Sequence, residues 1–139
     1  MSEADAGAKP APRPEPPGTA PFAHIRRRHD TALNATLALL RPGDYYVAEP
    51  GEWIGTVLGS CVSACVRDSR TGIGGMNHFM LPEGQGDSGR YGSYAMELLI
   101  NQLLKRGATR GTLEAKIFGG GAVISGMNSI NVGERNTQF

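Results

Sequence analysis

The chain has 139 residues and a mass of 14.7 kDa, with 40% hydrophobic and 19% charged residues, which admits one globular domain and excludes two. Fourteen Lys and Arg against thirteen Asp and Glu leave a formal charge of +1, so bulk charge offers no footprint for nucleic acid. No apolar run approaches the roughly 18 residues of a membrane helix, and residues 1–21 lack the apolar stretch of a secretion signal. The sequence therefore points to the cytoplasm and to reduced thiols at its two cysteines.

Six of the nine prolines fall in the first 21 residues, among Ala, Glu, Gly and Arg. Such a composition cannot bury enough apolar area to offset chain entropy. Residues 1–30 are accordingly read as a disordered tail and residues 31–139 as the folded domain. Arg26-Arg27-Arg28-His29 reads as a solvated basic flank. Over 30–40, Leu33, Leu37 and Leu40 recur at helical spacing behind Asp30 as N-cap, and Pro42-Gly43 stops the pattern, so a helix is expected.

The period then changes to two. Tyr45-Tyr46-Val47 and residues 53–58 read as strands, and Val62, Ala64 and Val66 alternate with Cys61, Ser63, Cys65 and Arg67. Asp68-Ser69-Arg70-Thr71-Gly72 is a turn cluster, and residues 73–81 resume as a strand before Pro82, so these two runs form a hairpin. A Gly-rich loop over 82–92 leads to a helix capped by Ser93 and running to about Arg106, with Met96, Leu99, Ile100, Leu103 and Leu104 as its apolar stripe. Leu113, Ala115 and Ile117 alternate as a strand that enters Gly119-Gly120-Gly121. Asn131 with Glu134 looks like a capped helix start close to Phe139, which predicts a domain incomplete at its C-terminus.

The hairpin carries the chemistry. If it turns between Ser69 and Arg70, Cys61 faces His78, and directly opposed residues have Cβ atoms about 4.5–5.5 Å apart. A bulge at Gly72 or Gly74 would shift that register. A thiol beside an imidazole is the arrangement of amidase chemistry, because the imidazole stabilises a thiolate and later protonates a leaving amine. The plainer reading is that each residue is merely packed: a strand cysteine is usually a small buried hydrophobe. Cys61 and Cys65 lie about 13 Å apart along a strand, too far to share a zinc ion or a disulfide, so Cys65 reads as structural. Gly59 and Ser60 let backbone approach a substrate, and amides there or at Gly119 and Gly120 are candidate oxyanion donors. Thr56 is a candidate to orient the histidine.

Four segments, in order and spacing, resemble the motifs of the CheD family of chemoreceptor glutamine deamidases: Leu58-Gly59-Ser60-Cys61-Val62, Gly75-Met76-Asn77-His78-Phe79-Met80-Leu81-Pro82, Leu113-Glu114-Ala115-Lys116-Ile117-Phe118-Gly119-Gly120 and Val132-Gly133-Glu134-Arg135-Asn136. The resemblance runs from about Arg41 to Phe139. It implies an α/β sandwich related to the deamidating bacterial toxins, with Cys61 as nucleophile, His78 as general base and Thr56 near the third position. It implies conversion of receptor glutamines to glutamates through a thioester, with no metal or organic cofactor. The implied partners are the cytoplasmic helical bundle of a chemoreceptor and, in organisms that have one, a CheC-type phosphatase. A non-catalytic adaptor of that phosphatase and another Cys/His amidase are the alternative functions.

Overall fold

A computed structural model describes residues 22–80 and 92–121 as a mixed α/β arrangement. Its elements in chain order are β1 (Arg26–Asp30), β2 (Ala35–Leu40), β3 (Tyr45–Val47), β4 (Glu52–Thr56), β5 (Val62–Asp68), β6 (Gly74–Asn77), α1 (Gly92–Lys105) and, after a short 3-10 turn over Arg110–Thr112, β7 (Leu113–Gly119). Strands β1, β2 and β4 form one sheet in that order, and β3, β6, β5 and β7 form a second in which every pairing is antiparallel. No helix among the described residues is long and apolar enough to cross a membrane.

Alternation assigns the two faces of the larger sheet. A side chain at Gly75 would meet Leu99 Cδ1 at 2.7 Å and the Tyr46 carbonyl at 2.6 Å, so α1 packs directly on this glycine. Val66 lies opposite Gly75, and Val62 and Phe79 pack with Ala95 of α1, so these residues share the helix side. Met76, His78, Cys61 and Ser63 therefore project from the opposite face. Tyr46, opposite Met76, sends its hydroxyl from that face to the smaller sheet: it donates to the Glu52 carboxylate and accepts from Arg27 Nη2 at 2.8 Å and Nε at 3.1 Å. That bridge ties β3 to β4 and β1, and so joins the two sheets.

The expected helix over 30–40 is instead a turn followed by β2. Asp30 Oδ1 does accept the amides of Ala32 at 3.0 Å and Leu33 at 3.1 Å, as an N-cap would, but Asn34 takes a positive φ of 47° and turns the chain back. Ala-Thr-Leu-Ala-Leu-Leu then runs between β1 and the parallel β4; Ala38 and Leu40 are buried on one face, and Leu37 and Leu39 make the other face apolar too, so the period of two is lost from the sequence. Its antiparallel partner β1 lies inside the region read as tail. The fold reaches back to Phe22, which is 2% exposed and meets the Tyr45 and Tyr46 rings edge-on at 5.5 and 5.0 Å, while Ile25 is also buried. Arg27, read as part of a solvated flank, is held by Tyr46 and Glu52.

Helix α1 lies where expected and ends before Gly107 at φ 103°, but it begins at Gly92, which places Ser93 in its first turn and not at the cap, and of the expected stripe only Leu99 and Leu103 are fully buried, beside Ala95. The expected strand over 53–58 is displaced slightly, to Glu52–Thr56, and that over 73–81 is regular only through Gly74–Asn77. The loop over 82–91 and the helix start at Asn131 and Glu134 lie outside the described residues.

Asp68 fastens the hairpin turn to the α1–β7 connection. Its buried carboxylate accepts the amides of Thr109 at 2.7 Å, Arg70 at 2.8 Å and Thr71 at 3.2 Å. These donors, Thr109 foremost, hold its pKa down from 3.8 to about 2. A folded-state pKa below the unfolded one contributes stability that is complete above about pH 4 and fades as pH falls toward 2. Asp68→Asn is expected to lower the melting temperature at pH 7 and to flatten the acid dependence in that window; calorimetry of both proteins from pH 2 to 7 checks both effects.

Candidate active site

His78 follows the last residue of β6, and its backbone turns toward the β3 side. Its N–H donates to the Asp44 carbonyl at 3.0 Å, and its carbonyl accepts from Gly43 at 2.8 Å. Gly43 supplies the positive φ of 91° that the turn needs. The ring is buried, and Nδ1 lies 2.7 Å from Thr56 Oγ1 at the end of β4.

The threonine settles which ring nitrogen carries the proton. Its hydroxyl donates to the Leu40 carbonyl at 2.9 Å, and a carbonyl can only accept. Thr56 Oγ1 therefore accepts from Nδ1–H, and in the neutral ring Nε2 is left as a bare lone pair. Burial favours that neutral ring, lowering the His78 pKa from 6.5, while the negative charge of Asp44 opposes the shift. Nε2 is buried and has no hydrogen-bond partner among the described residues. A buried, unpaired base is costly to keep and is the kind of group that active sites retain.

Cys61 stands one residue before β5. The expected register, in which it faces His78, is corrected by two residues: Val66 pairs with Gly75, Cys65 with Met76, and Val62 bridges Phe79. The cause is the loop. Gly72 N–H donates to the Asp68 carbonyl at 2.9 Å and Gly72 takes φ 75°, which closes a four-residue connection instead of a tight two-residue turn. A shift of two preserves the face, so Cys61 and His78 still project from the same side, now on a diagonal within reach of long side chains. The thiol is half-buried, and burial pushes its pKa above 9.0. Both shifts favour the neutral thiol and the neutral imidazole over a preformed ion pair.

The glycines are brought to the same place, with altered roles. Gly120 N–H donates to the Cys61 carbonyl, and Gly121 N–H to the Gly59 carbonyl, each at 2.9 Å. The Gly120 amide is therefore already engaged and does not serve as an oxyanion donor. Among the described residues the Cys61 N–H has no backbone partner. Gly119, at φ 107°, sits so tightly on the Cys61 carbonyl that a Cβ would overlap it. Gly119→Ala is expected to displace the Cys61 loop and lower the melting temperature, which calorimetry checks.

Cys65, read as structural, lies opposite Met76 on one side and Lys116 on the other, half-buried and with its thiol also pushed up by burial. Sequence reasoning passed over Ser63 and Asn77. Both are buried beside His78, and their hydrogen bonds to one another's strand could be found only once the register was known.

These features define a mixed α/β protein whose candidate site places a cysteine and a threonine-backed histidine on one sheet face. The chain is similar to proteins of the CheD family over most of its length. The family model described as CheD chemotactic sensory transduction matches residues 80–139. The chain is 60% identical over 118 residues to a probable chemoreceptor glutamine deamidase CheD of Janthinobacterium sp. (strain Marseille), covering 80% of this chain and 58% of that protein. It is 58% identical over 120 residues to the protein of the same name from Bordetella petrii, covering 82% of this chain and 54% of that one. A third relative of that name, from Methylobacillus flagellatus, is 58% identical over 118 residues, covering 79% and 58% respectively. The chain thus spans between 54% and 58% of the length of these curated relatives.

Proposed function

We propose that this chain catalyses deamidation of glutamine side chains in chemoreceptors, yielding glutamate and ammonia, in an α/β sandwich related to the deamidating bacterial toxins. The observation that carries the reading is the bare, buried Nε2 of His78, whose proton Thr56 holds on the far nitrogen, on the sheet face that also presents Cys61. The names of the relatives supply the substrate class.

His78 Nε2 takes the thiol proton as Cys61 Sγ attacks the glutamine Cδ, and the Cys61 N–H holds the oxyanion. The imidazolium then protonates the departing nitrogen, the C–N bond breaks, and ammonia leaves a thioester. Water, deprotonated by the same Nε2, attacks that thioester; the C–S bond breaks, the thiol recovers its proton, and glutamate is released. Every proton passes through one nitrogen, so its tautomer must be fixed. In this reading the protein acts in the cytoplasm on the receptor's helical bundle, and a CheC-type phosphatase is its second partner where the organism has one.

Incubation with a receptor cytoplasmic fragment tests the proposal. The expected result is ammonia release with a gain of about one mass unit per converted glutamine. An unchanged peptide mass after prolonged incubation with folded protein overturns it.

A further inference from the structure

We propose that Asn77, together with Ser63, is a positioning residue pair that holds His78 at its distance from Cys61 by replacing the β5–β6 backbone rung next to His78 with side-chain hydrogen bonds. The turnover consequence rests on the deamidase reading; the geometric one does not.

Strands β5 and β6 pair regularly through Arg67↔Gly74, Val66↔Gly75 and Cys65↔Met76. Beyond the interruption, Val62 and Phe79 exchange both backbone hydrogen bonds, at 3.0 and 2.9 Å. In that register Ala64 and Asn77 are opposed, and the Ala64 N–H should reach the Asn77 carbonyl. It donates instead to Asn77 Oδ1 at 2.9 Å, and the Asn77 carbonyl accepts the Ser63 hydroxyl at 2.6 Å. Two side-chain groups thus stand where one backbone bond would. Both residues are essentially unexposed, so each of these bonds must be made or its buried group left unsatisfied.

The interruption adjoins the His78 rung, and the intact Val62–Phe79 rung lies between that rung and Cys61. Ser63 is two positions from Cys61, and Asn77 immediately precedes His78, whose own backbone is held by Gly43 and Asp44 on the β3 side. Asn77 Nδ2 also donates to Met96 Sδ at 3.3 Å, which anchors the wedge to α1. Without Asn77 Oδ1, the Ala64 N–H is stranded or captures the Asn77 carbonyl; either outcome moves the strand segment that carries His78 relative to Cys61.

Alkylation of Cys61 by iodoacetamide at pH 7, in a Cys65→Ser background, reads the coupling directly. His78→Ala is expected to slow alkylation about fivefold or more in that parent and by less than about twofold once Ser63→Ala or Asn77→Ala is present. The same two variants are expected to lower kcat about tenfold or more with KM within about twofold. Equal His78 effects in parent and folded variants overturn the proposal, as does a parent in which His78→Ala changes nothing. Should Asn77→Ala fail to melt cooperatively, Ser63→Ala decides, since it removes one hydrogen bond. If the parent releases no ammonia from receptor glutamines while the coupling still vanishes in the variants, the deamidase reading falls and the positioning role stands.

Discussion

Cys61→Ser is expected to abolish the proposed deamidation, a fall of at least about a thousandfold, while Cys65→Ser retains most of it. Both thiols are half-buried, and burial pushes both pKa values above 9.0, so thiol acidity does not distinguish them. Position does. Cys61 lies at the open head of β5, its carbonyl pinned by the Gly120 amide and its own N–H free of backbone partners among the described residues. Cys65 lies in the middle of the strand, paired on both sides by Met76 and Lys116. A serine hydroxyl is far less acidic than a thiol, so the same histidine cannot generate a useful alkoxide near neutral pH. Mass spectrometry of receptor peptides after incubation with each variant is the measurement, and equal losses for the two would contradict the assignment of the nucleophile.

Where the sequence could be read, periodicity was local and uncontested. The stripe of α1 and the alternation in β5 both depend only on which residues face the core. Strand β2 was opaque because Leu33, Leu37 and Leu40 satisfy a helical period by chance, while its partner β1 is built from charged residues that look like a tail. Pairing with both β1 and β4 overrode local preference. In the candidate site, the residue types and the shared face of Cys61 and His78 survived a register error of two residues; an error of one would have put them on opposite faces. The Ser63–Asn77 interruption was invisible for the converse reason. A serine and an asparagine in adjacent strands carry no signal until the ladder that they break has been placed.

In the proposed mechanism His78→Ala is expected to be nearly as damaging as loss of the cysteine, and the double variant no worse than either single one, because a nucleophile and its base act as one unit. Thr56 acts through the imidazole. Thr56→Val removes the acceptor at Nδ1, freeing the ring to place its proton on Nε2, and the loss of one hydrogen bond of about 1–1.5 kcal/mol corresponds to roughly tenfold in turnover. Thr56→Ser keeps the hydroxyl between Nδ1 and the Leu40 carbonyl and should recover most of that loss. The pH profile carries the sharper consequence. Burial lowers the His78 pKa beneath 6.5, so the neutral base persists into mildly acidic solution and the acid limb of kcat/KM should fall below the ordinary imidazole range. The linked effect on stability has a definite sign. An unfolded chain takes up this proton at higher pH than the folded one, so His78 favours the fold fully above about pH 6.5 and progressively less as pH drops through its lowered folded value. Replacing Thr56 by Val withdraws the fixed tautomer but leaves the burial. Its rate should therefore drop across the whole profile while the acid limb stays below pH 6.5, whereas an acid limb at or above pH 6.5 in the parent would mean that a different, solvated group is the base.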